Sequence, residues 1–536
     1  MLLTKCPLWL RLPAFRRRCV VVAFFLLVLL PLVVLFGRWF VAVVVGDDSA
    51  LADVVPSARS LNLLLNSLAL GAVVAGVSTA LGTALAIWLE GRRRARRIVG
   101  ALYLIPLLIP PYIHALEWMA VAGRRQILDR LLSSLPAPLD VSLSAYGFWP
   151  TALVLAMALF PIVTLFVRRG LRAIPPELVE AGSLVGTSSR TWWRVLLPLL
   201  APSIVAAAGL VFVMAMVEYG VPSLLQCNVF VMEVYASFSQ HFDPVRAFAA
   251  ALPLVVMTTA ILALSHSGLK SSPLTSRAAS TPLIETESWP ATARVFLTLA
   301  AVVWGLAVSV PVLVLCARGG SPAVLGQAAS VAFDELVRTA AVAAIAGLVA
   351  TVVAVPLALF FVRRMTGFRW FLLALPLAVP APLTAIALIS IWNRPSLAWG
   401  YGTLLMLVLA HLARFLPFAA FAAFSGVRNI EPIYFEAAAL FDVDRRRRFF
   451  HVTLPILLPT IIITWLITFV LSLGELGASL LLSPPGQATV PLVVYNLLHY
   501  GATETVSALA LLILLVAGSV SAGVLVMRGR LTDKST

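Results

Sequence analysis

Pro432-Ile433-Tyr434-Phe435-Glu436-Ala437-Ala438-Ala439-Leu440-Phe441-Asp442, then Arg445 to His451 and Leu454-Pro455, lies between two long apolar blocks. A stretch of the same kind, Pro175-Pro176-Glu177-Leu178-Val179-Glu180-Ala181-Gly182-Ser183-Leu184-Val185-Gly186, runs on to Leu197-Pro198 at the matching point of the first half. Each reads as a short helix, a turn and a second short helix lying on a membrane surface. A proline near the start suits a first helical turn, and an early glutamate complements the helix dipole. Small residues at Ala181-Gly182 and Ala437-Ala438 let another backbone approach closely. Gly186 permits a tight turn, and Pro198 or Pro455 restarts the chain as the next span. Taken singly, each stretch is also a capped surface helix; its occurrence twice asks for a further explanation.

The chain around these stretches is a membrane protein. Of its 536 residues 61% are hydrophobic and 12% charged, whereas a soluble domain carries about 25% charged residues. Apolar blocks of the roughly 20 residues needed to cross a bilayer occur at 20–45, 61–89, 98–122, 145–167, 199–221 and 247–266. A second six occur at 295–317, 336–362, 370–392, 400–424, 455–482 and 505–527. The first block precedes Ala50-Leu51-Ala52, which resembles a cleavage site. Its apolar core is longer than the roughly 7–15 residues of a secretory signal, so it reads as a retained anchor.

The net charge of +16 admits a polyanion-binding surface, but the positions of the arginines answer to topology. With the N-terminus inside, most of the basic residues fall on the cytoplasmic side, among them Arg16 to Arg18, the cluster from Arg92 to Arg97, Arg190, Arg194, Arg363, Arg364 and Arg445 to Arg448. That is the positive-inside pattern; both termini are expected in the cytoplasm, the bilayer is the partner, and no nucleic acid is needed. Cys6, Cys19, Cys227 and Cys316 are scattered without metal or redox spacing.

Residues 268–292, rich in Ser, Thr and Pro, read as a linker, and the halves on either side align. Pro106 pairs with Pro376 and Pro110 with Pro380 at an offset of 270; Pro161 pairs with Pro417 and Glu180 with Glu436 at 256. Pro198 pairs with Pro455, Pro202 with Pro459, Glu218 with Glu475 and Gly220 with Gly477 at 257. Six spans per half make this a parallel repeat about an axis along the membrane normal, with a pathway expected between the repeats. The division is 1–60 for the N-terminal segment, anchor and outer loop, 61–267 for the first transmembrane domain and 268–292 for the linker. It continues as 293–335 for the seventh span and outer loop, 336–528 for the second domain and 529–536 for the tail.

The paired loops resemble the Glu-Ala-Ala, Gly, Leu-Pro signature of permease subunits of binding-protein-dependent ATP-binding-cassette importers. The second copy has Glu436-Ala437-Ala438 and Leu454-Pro455 with Asp442 in place of the glycine; the first has Glu180-Ala181 and Gly186 with Gly182 in place of the second alanine. The resemblance implies an all-α membrane fold of about twelve helices, two parallel six-helix repeats of the type I importer permease kind, in a bacterial inner membrane. It implies that Glu180, Ala181, Gly182, Gly186 and Pro198, with Glu436, Ala437, Ala438, Asp442 and Pro455, form the coupling loops. These would dock on an ATPase partner, a pair of identical subunits, while a solute-binding protein docks outside. The chain is expected to be no enzyme and to need no cofactor or metal. None of its lysines, Lys5, Lys270 and Lys534, follows a glycine as a P-loop requires.

Ionisable residues inside spans mark candidate pathways. Counting about 1.5 Å per residue puts Glu218 and Glu475 near the outer mouth, at the start of Glu218-Tyr219-Gly220 and Glu475-Leu476-Gly477. They read either as an acidic gate on the repeat axis or as carboxylates capping helix breaks before Gly220 and Gly477. His411 and Arg414 lie deeper, near the middle of the tenth block, where the first half has Leu155 and Ala158. Arg414 reads as an anion contact or as a partner for a carboxylate. Glu117 and His114 have no counterpart, and Pro161, Pro356 and Pro417 are expected to kink or break their spans. The resemblance is nearest to the ferric-iron and thiamine group, with polyamine and phosphonate permeases as relatives, and ferric iron is the expected cargo. The alternative from another class is an ion-gradient-driven secondary transporter, also built of two six-span repeats. Glu436→Arg is expected to uncouple ATP hydrolysis from transport while the protein still reaches the membrane; unchanged uptake in vesicles would overturn the coupling role.

Overall fold

The computed structural model describes residues 14–47, 54, 57–91, 100, 102–122, 144–175, 177–178, 192–271, 289, 291–361, 366–431, 433–434, 445–499 and 503–533. The loop residues Glu180, Ala181, Gly182, Gly186, Glu436, Ala437, Ala438 and Asp442, and most of the 268–292 linker, lie outside the described residues. Every regular element among the described residues is helical. Among the described residues ten helices are long and apolar enough to cross a bilayer, and two bent helix pairs, each taken as one crossing, bring the number to twelve. The first six are Arg18–Val45, Ala58–Glu90, Leu102–Leu108 with Pro111–Ala122, Phe148–Ala173, Arg194–Val217 and Pro244–Ser265. The second six are Ala291–Gly319, Phe333–Phe361, Gly367–Ala378 with Ala381–Trp392, Leu404–Arg428, Arg446–Leu473 and Glu504–Gly523.

Three features differ from the sequence expectation. The third span of each half is not straight but bends, by 91° in the first half and 94° in the second. A residue before proline is pushed out of the helical region, and Ile109 (φ −89°, ψ 116°) and Val379 (φ −99°, ψ 125°) are extended before Pro110 and Pro380. Pro111 and Pro382 follow within two residues, so donors needed to bridge the break are missing as well. Pro161, Pro356 and Pro417, in contrast, interrupt nothing: they lie inside the continuous helices Phe148–Ala173, Phe333–Phe361 and Leu404–Arg428. A lone proline deletes one hydrogen bond, which packed neighbours tolerate. Finally, the fifth and eleventh helices stop at Val217 and Leu473, before the glutamates rather than beyond them.

The fourth and tenth spans form the centre, with 83% and 67% of their apolar windows buried, against 22% and 28% for the first and seventh. The fourth packs on the second and fifth, the tenth on the eighth and eleventh. At the repeat-related Gly170 and Gly426 the helices approach so closely that a Cβ would lie 2.7 Å from Leu200 Cδ2 or 2.4 Å from Thr460 Cγ2.

The halves exchange their outer helices. The first span packs on Phe333–Phe361 and Ala381–Trp392 of the second half, and the seventh packs on Ala58–Glu90 and Pro111–Ala122 of the first. Each exchange ends in the same contact. Arg38 Nη1 donates to the Ser390 carbonyl at 3.0 Å, and Arg318 Nη2 donates to the Ala120 carbonyl at 3.4 Å. Ala120 and Ser390 are 270 apart, the offset of the proline pairs. Both carbonyls sit in the last turn of their helices, where acceptors lack intrahelical partners and the dipole favours a cation.

The ends of the fourth and tenth spans that lead into the paired loops are held differently. In the first half, buried Glu90 accepts from Arg168 Nε at 2.8 Å and from Arg172 Nη2 at 2.8 Å, while Arg168 also donates to the Gly100 carbonyl at 2.7 Å. In the second half Arg168 is replaced by Phe424 and Gly100 by Trp370, and the two rings meet at 5.4 Å with Phe421 stacked on Trp370 at 5.3 Å.

Arg38→Leu and Arg318→Leu should each destabilise the protein by about 1.5–3 kcal/mol, the worth of a hydrogen bond to a charged group. The two effects should add, since the contacts share no partner. Thermal unfolding of the single and double variants in lipid nanodiscs measures both statements.

Candidate functional site

The two Glu-x-Gly segments occupy the breaks that end the fifth and eleventh helices. A break inside a bilayer strands the donors of whatever follows, with no water to satisfy them. Each glutamate meets that need locally. Glu218 Oε1 accepts from the Gly220 N–H at 3.0 Å, beside the short helix Gly220–Leu224. Glu475 Oε1 accepts from the Ala478 N–H at 2.8 Å, beside the short helix Ser479–Leu482, and Ser479 Oγ donates to the Glu475 carbonyl at 3.1 Å.

The second oxygen of Glu475 has another partner. Arg414 Nη1 donates to Glu475 Oε2 in an ion pair between the tenth span and the eleventh break. On the same two elements His411 Nδ1 and Ser472 Oγ are hydrogen bonded. The tenth span runs inward and the eleventh outward, so the two contacts cross, and together they tie the face of the tenth span that carries His411 and Arg414 to the end of the eleventh. Glu218 lines the same cavity as Arg414 from the other half. The first-half counterparts Leu155 and Ala158 are buried and apolar, so one cation faces two carboxylates. Arg414 stands ten residues inside the helix that begins at Leu404, about 15 Å from its outer end, and its guanidinium meets Glu475 from there.

These residues surround a cavity of about 130 Å³ between the halves, lined by Glu218, Tyr219 and Gly220 from the first and Arg414, Glu475 and Gly477 from the second. The backbones around it nearly touch. A Cβ on Gly477 would lie 2.7 Å from Ala381 Cβ and 3.6 Å from Tyr219 Cβ; on Gly220 it would lie 3.5 Å from Leu476 Cδ2. Tyr219 and Leu476 are themselves repeat-related, so each half lays its middle residue over the glycine of the other. Gly474 closes the ring, where a Cβ would lie 2.7 Å from Pro110 Cβ. Apart from the loop residues outside the described set, the candidate residues of the sequence divide in two. Glu218, Gly220, His411, Arg414, Glu475 and Gly477 are brought together, while Pro198 and Pro455 stand in the first turns of the fifth and eleventh helices. His114 and Glu117 are buried in Pro111–Ala122, away from the cavity lining, with His114 Nε2 3.2 Å from the Pro106 carbonyl. Tyr219 and Gly474 were not singled out by sequence; both flank a glutamate that was. Among the described residues no three His, Cys, Asp or Glu groups could hold a metal ion.

Residues 72–267 match the family described as binding-protein-dependent transport system inner membrane component. The chain is 33% identical over 184 residues to the putrescine transport system permease protein PotI of Escherichia coli K12, covering 34% of this chain and 64% of that protein. Over 487 residues it is 23% identical to the Fe(3+)-transport system permease protein FbpB 2 of Haemophilus influenzae, covering 86% of this chain and 88% of that protein. It is 29% identical over 143 residues to the putative 2-aminoethylphosphonate transport system permease protein PhnV of Salmonella typhimurium, covering 27% of this chain and 53% of that protein.

Arg414→Leu strands the Glu475 carboxylate and should cost about 3–5 kcal/mol. The double variant Arg414→Leu with Glu475→Gln should recover most of that loss. A double-mutant cycle on thermal unfolding in nanodiscs tests the pairing, and additive single effects would refute it.

Proposed function

We propose that the chain, whose residues 72–267 match the binding-protein-dependent transport system inner membrane component family, is the permease subunit of an ATP-driven importer. It holds both membrane halves in one polypeptide and has no ATPase site of its own. A solute-binding protein delivers the cargo outside, and a pair of ATPase subunits docks inside on the loops around Glu180 and Glu436. Both termini face the cytoplasm.

One observation carries the reading beyond the family match: a single continuous helix joins the end of each paired loop to the cavity. Leu197–Val217 and Leu454–Leu473 have 21 and 20 residues, roughly 30 Å of rod at 1.5 Å per residue. Each begins with proline after its loop and ends at the glutamate that lines the cavity. Pushing the loop ends apart therefore moves the cavity walls. In the arrangement seen here Tyr219 covers Gly477 and Leu476 covers Gly220; separating the halves uncovers the cavity, and bringing them together seals it.

Ferric iron is the proposed cargo. Supporting it, a relative whose alignment spans most of both chains is named for Fe(3+) transport, whereas the putrescine and phosphonate relatives align with 34% and 27% of this chain. The cavity sets two carboxylates against one guanidinium, a balance that suits a cation more than a phosphonate. Reconstitution of the chain with its ATPase and binding protein tests this reading. Uptake of ferric iron should require ATP and survive dissipation of ion gradients. Uptake that continues without ATP and stops with the gradient would make the chain a secondary transporter, and ATP-driven uptake of putrescine or phosphonate in place of iron would replace the cargo alone.

A further inference from the structure

A second cavity, of about 280 Å³, adjoins the first, and Tyr219 alone lines both. Its wall holds Tyr219, Tyr235, Ser223 and Glu233 from the first half and Tyr495 from the second, with Arg59 at the rim. Tyr219 is 5% exposed, and its ring lies 5.3 Å from that of Tyr235. Ser223 Oγ and Tyr495 Oη are hydrogen bonded at 3.0 Å, which ties the two halves together across the pocket. Tyr235 and Tyr495 are 260 apart, the offset of the helix starts Phe230 and Val490 that carry them. Two repeat-related tyrosines thus flank a third that divides the pocket from the gate cavity.

The polar lining is one-sided. At the repeat positions of Tyr219, Ser223 and Glu233 the second half has Leu476, Leu480 and Val493. A scaffold common to both halves therefore does not require those groups. Burial of Tyr219 also separates this cluster from the aromatic belts at membrane interfaces, whose tyrosines face headgroups. Phenol faces attract cations through the ring quadrupole, hydroxyl oxygens solvate them, and the Glu233 carboxylate adds a full charge, only loosely engaged by Arg59 at 3.8 Å.

We propose that this pocket is a binding site for the transported cation on the outer side of the gate, and that Tyr219 is the partition between it and the Glu218, Glu475 and Arg414 cavity. The cation leaves the pocket when the halves separate, because the Ser223 to Tyr495 contact and the cover of Tyr219 over Gly477 both span the division. The direction of travel rests on the importer reading; the site itself does not. A trivalent metal ion would take the Glu233 carboxylate and the hydroxyl oxygens, an organic ammonium the carboxylate and the phenol faces, and the test separates them.

The full chain with its ATPase subunits, in nanodiscs and without binding protein, is titrated with terbium(III), whose emission is sensitised by adjacent phenols, and in parallel with radiolabelled putrescine. The expected result is saturable binding of one of them that weakens roughly tenfold in both Glu233→Gln and Tyr235→Leu, with ATPase activity retained as the measure of folding. Terbium binding identifies a metal-cation site and putrescine binding an ammonium site. Binding of neither probe, or binding that both variants leave unchanged, overturns the proposal. Uptake by the same variants, reconstituted in liposomes with the ATPase and the binding protein, reports on the importer reading independently: ATP-driven uptake with variant-insensitive binding refutes the pocket alone, and variant-sensitive binding without ATP-driven uptake refutes the importer alone.

Discussion

A carboxylate buried in a bilayer has to be matched at the place where it sits, and Glu475 is matched twice. One oxygen holds the Ala478 N–H and the other the Arg414 guanidinium. The first contact lets the eleventh helix stop inside the membrane without orphaning the short helix that follows. The second makes the charge tolerable, since an ionised group at membrane depth persists only when paired or facing a cavity. Much else follows from keeping both. The tenth span must present Arg414 at the level of the break, which the His411 and Ser472 contact fixes. Glycine must flank the glutamate on both sides, because Pro110 and Ala381 come within 2.7 Å of where a Cβ would be. The two halves meet at this level because their chains are thin there.

The repeat divides along a physical line: backbone needs recur in both halves, and side-chain chemistry diverges. Pro110 and Pro380 make matching bends, and Gly170 and Gly426 make matching close approaches. Ser67 caps the Phe230 N–H at 2.8 Å, as Thr339 caps that of Val490 at 2.9 Å. Arg38 and Arg318 satisfy matching carbonyls of the opposite half. Water cannot serve any of these groups inside a bilayer, so each half needs its own solution. The ionic hold of Glu90 on Arg168 faces an aromatic cluster at Trp370, Arg414 faces an alanine, and Tyr219 faces a leucine. Stability accepts either chemistry at these positions, which leaves them open to be set by function.

The twelve apolar blocks were legible because length and hydropathy report directly on the bilayer, and the paired Glu-x-Gly segments were legible because they repeat. The bends were not read. Pro110 and Pro380 serve in the sequence only as markers of the repeat, while kinks are expected at Pro161, Pro356 and Pro417, yet only clusters such as Pro110-Pro111 and Pro380-Ala381-Pro382 remove enough donors to turn the chain. Arg414 and Glu475 were placed at different depths because the first was counted within its block and the second up from Pro455; a count along one chain cannot see which residues face each other across two. The arginines at positions 38 and 318 were absorbed into the topology count, where a charge near a span end needs no partner. Sequence offers a sign of theirs only in retrospect, in the shared offset of the carbonyls they reach.

The fifth and eleventh helices show how a loop and a distant cavity act as one mechanical unit. Both are entered through a five-residue π turn, Trp192–Leu196 and Phe449–Thr453, and both continue as α-helix through a proline in the first turn. A π turn is a local departure from the i→i−4 ladder, and Pro198 and Pro455 follow it directly within the same helical run. Compliance is thus placed at the loop end, while the helix beyond it, with Pro202 or Pro459 inside it, continues to the break at the glutamate. At the far end the ladder stops again, in the break that the carboxylate caps. A rod with a joint at each end transmits displacement without passing on bending, so on the importer reading the force applied at the loops arrives where Tyr219 meets Gly477 and Leu476 meets Gly220. The break at the glutamate is then a requirement of the mechanism: a helix continued through Glu218 or Glu475 would lock the short outer helix to the rod and leave no place for the halves to part.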